Sequence, residues 1–180
     1  MRYRRFGNTD QWLSAITLGG MRYHEGWEGP RDQPSTKMID QCADIVTRAF
    51  AQGVNHIETA HGYGKSEHCH GIALNDVLGL KRDSYHLMTK GAAETAEKMR
   101  RLVEEQLVAL KTDTIDLYAW HGINTPEKFA IATQPGGPVE ELLKMKDEGI
   151  IGAVGFSTHG PLEVIIDAIA TGLFSFVNLH

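Results

Sequence analysis

Two cysteines in 180 residues, Cys42 and Cys69, are too few and too far apart for a disulfide framework or a CxxC site. A reducing, cytoplasmic setting is therefore expected. No apolar run approaches the roughly 18 residues of a membrane span. The opening MRYRRFGNTD has no apolar core of the kind a secretory leader needs. The formal net charge of -5 is spread without an acidic or basic block, which argues against a nucleic-acid or other polyanion partner. A G-x-G-x-x-G fingerprint is also missing. Gly149, Gly152 and Gly155 are spaced by threes, but they fall before or inside an apolar run and not in a strand-to-helix turn. What remains is a single domain over residues 1–180, long enough to bury a substantial core.

The pattern that is present alternates. Tyr3 to Phe6 and Trp12 to Ile16 flank a Gly7-Asn8-Thr9-Asp10 turn and predict a β-hairpin. A short strand at Thr17–Leu18 runs into Gly19-Gly20, and residues 22–36 read as a loop. Helical periodicity from Lys37 to Phe50 ends at Gly53. Strands are then predicted at 54–57, 85–89, 115–120, 150–156 and 174–179. Helices are predicted between them, one from Ser66 as cap to about Leu78, one after Thr95, one over 139–148 and one after Pro161. The stretch with Pro126, Pro135 and Gly136-Gly137 reads as polar loop. Strict β-α alternation implies a parallel sheet with right-handed crossovers, either doubly wound or barrel-like.

Chemistry-bearing residues fall at the strand ends. Gly53 to Glu67 reads GVNHIETAHGYGKSE and presents Glu58 and Tyr63 just past an apolar strand. Lys90 and His121 follow the next two strands in the same way. Four such groups at consecutive strand ends form a proton-transfer constellation and favour the barrel, whose chemistry is done at that face. Each has an ordinary reading too: Glu58 with Lys90 as a structural ion pair, Tyr63 as a loop aromatic, His121 as a satisfied polar group. Trp120 is a candidate pocket wall, whereas Met88 and Cys42 read as core. Glu67-His68-Cys69-His70 suggests a metal site, but consecutive helical side chains diverge by about 100°, so no metal is expected.

YRRFGNT, LGGM, ETAHGYGKSE, MTKG, IDLYAWHG and GAVGFST occur in the order and spacing of the aldo-keto reductase family. The chain resembles the N-terminal part of that family. HIETAHGYG, GFSTHG and FVNLH are most similar to a bacterial branch whose members often carry a ferredoxin-like cysteine cluster, which this sequence lacks. The resemblance implies a TIM-type (β/α)8 barrel plugged by the hairpin, with about six of eight strands present. It implies NAD(P)H-dependent interconversion of an aldehyde or ketone with an alcohol, with NADPH as cofactor and NADH not excluded. Tyr63 would be the general acid, Lys90 the cation that lowers its pKa, Glu58 the partner of Lys90, and His121 the hydrogen-bond donor to the substrate oxygen. Gly20, Met21, Ser157, Thr158 and Asn178 would bind the cofactor. The family usually has Asp at Glu58 and Asn at Thr158. Two other readings stay open: a non-catalytic barrel fragment serving as a binding or assembly partner, and half of a split enzyme, completed by self-association or a second chain.

Overall fold

The computed structural model describes residues 1–179. It begins with an antiparallel hairpin, β1 (Tyr3–Arg5) and β2 (Trp12–Ser14), in which Tyr3 faces Ser14 and Arg5 faces Trp12. Six parallel strands follow: β3 (Leu18–Gly19), β4 (His56–Glu58), β5 (His86–Gly91), β6 (Ile115–Trp120), β7 (Ile151–Thr158) and β8 (Phe176–Leu179). Their order in the sheet is their order in the chain. A doubly wound sheet reverses direction at a switch point; this one never does, as in the wall of a (β/α) barrel. β3 and β8 are each paired on one side only, so among the described residues the wall is open.

Capping explains where the helices start. α1 (Thr36–Ala51) is capped by the Ser35 hydroxyl, which accepts from the Met38 N–H. Thr95 does the same for α3 (Ala96–Leu110) through Lys98. α5 (Pro138–Asp147) and α6 (Leu162–Ala170) complete the outer layer. Two expectations need correction. Residues 126–133 are not loop but helix α4 (Pro126–Thr133): Pro126 occupies the first turn, where its missing N–H costs nothing, and the Thr125 hydroxyl caps Lys128. Ser66 is not a cap. It lies inside the first turn of α2 (Ser66–Ile72), with its hydroxyl against that of Thr59, and the helix then widens into a π-turn over Ala73–Val77.

Strand alternation sorts the core into two faces. Outward residues such as Tyr118, Val154 and Phe156 pack under α3, α5 and α6. Inward residues Met88, Leu117, Ala119, Ala153 and Phe176 pack on one another and on Leu13 and Phe6 of the hairpin. The hairpin is pinned across the strand starts: Ser14 N–H donates to Asn55 Oδ1 at 2.7 Å, Gln11 Nε2 to the Asp116 carbonyl at 3.2 Å, and Asn8 N–H to the Ser175 carbonyl at 2.7 Å. It closes the N-terminal end, leaving the C-terminal end for chemistry. No helix is long and apolar enough to cross a membrane.

Candidate active site

Glu58 and Lys90 are brought together by register. Glu58 pairs with Met88, so Lys90 lies two residues further along the same inward face of the neighbouring strand. Lys90 has no exposed surface, and its ammonium forms an ion pair with the Glu58 carboxylate. The strand ran further than expected, so Lys90 lies inside β5, held by its ladder. Tyr63 enters from the loop after β4, whose backbone is tied to β5 by Thr59 N–H to Met88 O and His61 N–H to Lys90 O at 2.8 Å. The Lys90 amine sits over the Tyr63 ring, 4.8 Å from its centroid. His121, the first residue beyond β6, is fixed by its N–H on the Gly91 carbonyl and meets the Tyr63 ring edge-on, with centroids 5.9 Å apart. All four expected proton-transfer residues thus share one cluster at the C-terminal end of the wall.

The electrostatics follow from burial. An isolated buried ammonium is costly. Burial pulls Lys90 from its ordinary 10.5 down to about 7, and the Glu58 carboxylate acts in the opposite sense. The Tyr63 phenol is pushed up by burial, not down as expected from a neighbouring cation. The amine lies on the ring face, and a lysine near neutrality offers only part of a charge, so desolvation wins. Tyr63 therefore stays protonated at neutral pH.

Of the residues expected to hold a cofactor, two share this inner surface. Ser157 pairs in register with Asn178. The Ser157 hydroxyl accepts from the Gly122 N–H at 3.1 Å and keeps its own proton to donate. The Asn178 amide lies 3.9 Å from Met88 Sδ. One hydroxyl and one amide supply both donor and acceptor, which is what a carboxamide ring substituent requires. Met21 lies partly exposed on the loop after β3.

Two expected residues, Thr158 and Trp120, do not reach the cluster. Thr158 alternates outward, and its hydroxyl is used within the chain, donating to Ile123 O and accepting from Gly160 N–H. Trp120 also alternates outward into the layer between sheet and helices, where it is buried with Ile123 and Val139 and is no wall of the inner surface. Gly20 adjoins the cluster, its N–H donating to the Glu58 carbonyl at 2.8 Å, and a Cβ there would stand 2.5 Å from Ser66 Oγ and 2.7 Å from His70 Cε1. His180, the last residue of the FVNLH segment, lies outside the described residues.

The sequence reading missed a buried polar hub behind the cluster. Glu67, set aside as part of a weak metal pattern, accepts from Thr89 and Gln106 and faces Arg31. His70 takes a separate course, toward Tyr23 and the Ser66 carbonyl. The signal was a glutamate on the inward side of a short helix, opposite a glutamine on the buried face of α3.

The sequence model described as "Aldo/keto reductase family" matches residues 15–177. D-arabinose 1-dehydrogenase of Saccharomyces cerevisiae is 29% identical over 161 residues, covering 85% of this chain and 45% of that protein. The NADH-specific methylglyoxal reductase of Escherichia coli is 31% identical, covering 83% of this chain and 49% of the relative. L-galactose dehydrogenase of Arabidopsis thaliana is 28% identical, covering 94% and 53%. This chain thus spans about half the length of the curated relatives it matches. The holo form of an aldo-keto reductase from Bacillus halodurans superposes with a TM-score of 0.78 at 23% identity, covering all of this chain and 57% of that one, a likeness of fold alone. With its parallel wall in chain order, its plugging hairpin and this family match, the chain belongs to the aldo/keto reductase family.

Proposed function

We propose that this chain carries the proton-transfer machinery of an NAD(P)H-dependent carbonyl reductase that converts a small aldehyde or ketone to the alcohol. The observation that carries the reading is Lys90, a fully buried amine held between a carboxylate and a phenol. A group so costly to bury is most often kept for what it does. Tyr63, protonated at neutral pH, gives its proton to the carbonyl oxygen as charge develops there. Lys90 stabilises the phenolate that forms, and Glu58 holds Lys90 in place. His121, edge-on to Tyr63, orients the oxygen. Ser157 and Asn178 would hold the nicotinamide carboxamide. When bound, NADPH or NADH supplies the hydride. Relatives named for sugars and for methylglyoxal support a small polar carbonyl substrate, and the free, buried thiols of Cys42 and Cys69 fit a reducing cytoplasm.

A second reading rests on the open wall. Among the described residues β8 is unpaired on one side, Leu179 and the α6 residues Leu162, Ile166 and Ile169 are exposed, and an apolar groove of about 280 Å³ runs beside Phe6, Phe174 and Phe176. Such a face fits a second polypeptide that completes the wall, with catalysis belonging to the assembly. The test is Tyr63→Phe, with turnover of a small aldehyde and quenching of NADPH fluorescence measured in the chain alone and in any complete assembly. Loss of turnover with cofactor affinity kept is expected, because the phenol acts on the transition state. Turnover within a few-fold of the parent would remove Tyr63 as the acid.

A further inference from the structure

Behind the cluster lies a polar hub whose two sides lead to the two reacting residues. Glu67 is 1% exposed. Its Oε1 accepts from the Thr89 hydroxyl and from Gln106 Nε2, both at 2.6 Å. Thr89 immediately precedes Lys90, and Gln106 Nε2 also reaches the Lys90 carbonyl at 3.2 Å. Gln106 is oriented in turn by the Tyr118 hydroxyl, 2.6 Å from its Oε1. The second carboxylate oxygen faces Arg31 Nη2 at 3.4 Å. Arg31 donates to the carbonyls on either side of Tyr63: Nη2 to His61 O at 2.6 Å and Nε to Gly64 O at 3.1 Å. One carboxylate therefore joins the strand that carries Lys90 to the guanidinium that clamps the loop carrying Tyr63.

The surrounding chain is built to keep this hub. At Gly91, next to Lys90, an added Cβ would stand 2.4 Å from the Tyr118 hydroxyl and 3.2 Å from Gln106 Oε1. The space a side chain would need is occupied by the network. If the hub served only to join α2 to the sheet, apolar residues of the same shape would do so at no cost in desolvation. A carboxylate facing a fork-shaped guanidinium supplies direction as well as attraction, and the guanidinium fixes two backbone carbonyls three residues apart.

We propose that Glu67 and Arg31 are positioning residues that set where the Tyr63 phenol lies relative to the Lys90 amine. The inference rests on the reading of Tyr63 and Lys90 as the proton-transfer pair, but its main test does not require turnover. The five tyrosines are labelled with 13C at the ring carbon bearing the hydroxyl, and the Tyr63 signal is assigned from Tyr63→Phe. Glu67→Gln keeps the shape but loses the charge that faces Arg31. It should shift or broaden the Tyr63 signal while Tyr3 and Tyr85, remote from the hub, keep theirs. Arg31→Lys keeps the charge but cannot serve His61 O, Gly64 O and Glu67 together, and should do the same.

Where turnover is measurable, both variants should lose about 10- to 100-fold in kcat with KM nearly unchanged, the signature of a misplaced reacting group. A Glu67→Gln protein in which every tyrosine signal moves has lost its fold, and Arg31→Lys then decides by the same criterion. A Tyr63 signal that stays put in both variants, even with a lowered Tm, would reduce the hub to a fold-stabilising element and overturn the proposal. Full turnover in Tyr63→Phe would instead overturn the underlying catalytic reading, and the tyrosine signals would still report on the positioning.

Discussion

Lysine burial makes a measurable demand on stability, and Lys90→Met isolates it. A fall from 10.5 to about 7 is a penalty of roughly 5 kcal/mol on the charged form, at about 1.4 kcal/mol per tenfold. Glu58 returns part of it, so this is an upper bound. The sign follows from proton counting. Between about pH 7 and pH 10 the unfolded chain holds a proton on this lysine that the folded chain has released, so stability rises with pH across that window and is lowest below it. From about pH 7 to pH 9 the gain is on the order of 2–3 kcal/mol. Unfolding free energies from urea titrations across this range should climb for the parent and climb less for Lys90→Met by that amount. The other titrating groups, the tyrosines and cysteines among them, are common to both proteins, so the difference between the two curves belongs to Lys90. Parallel curves would mean that Lys90 keeps its proton well above pH 7 and that Glu58, not burial, governs it.

Two further outcomes follow from the packing. Gly91→Ala would place a methyl 2.4 Å from the Tyr118 hydroxyl and 2.7 Å from Leu102 Cδ2. Overpacking of this kind costs about 1–3 kcal/mol, so Tm should fall by several degrees, and a variant melting with the parent would show that the hub yields. A polypeptide of these 180 residues alone should self-associate through the β8 edge, unpaired among the described residues, and the exposed face of α6, and Ile166→Glu with Leu179→Lys should shift it toward monomer. Light scattering on the parent decides: a monodisperse 19.9 kDa species that unfolds cooperatively would refute this.

Strand and helix order was legible because the longer strands of the wall are short, mostly apolar runs bounded by glycine or polar residues, and each long helix carries an apolar stripe. β6 fell where expected because Ile115 to Trp120 is apolar at nearly every position. α4 was hidden because Pro126 looks like a loop signal unless it is read together with Thr125 as the start of a helix. The Glu58, Tyr63, Lys90 and His121 cluster could be read because strand ends converge in a barrel whatever the details of packing. Which way a strand residue faces could not be read with the same ease. Lys90 and Thr89 differ by one residue and lie on opposite faces, and the same parity places Ser157 inward while turning Thr158 and Trp120 outward. The Arg31–Glu67–Gln106 hub draws on a loop and two helices, a long-range arrangement that no local pattern announces.

The hairpin that seals the barrel floor also sets an order of events during synthesis. Its anchors emerge from the ribosome long after it does: Asn55 first, then Asp116, and Ser175 later still. Until then the backbone N–H of Asn8 lacks its Ser175 acceptor and Phe6 has no Phe176 to pack against. The hairpin is thus completed well after it is made, and this part of the fold cannot form as a simple progression along the chain. Contacts of such long sequence separation slow folding. The nascent hairpin must stay soluble while the wall is laid down, then lock the strand starts together in a later step.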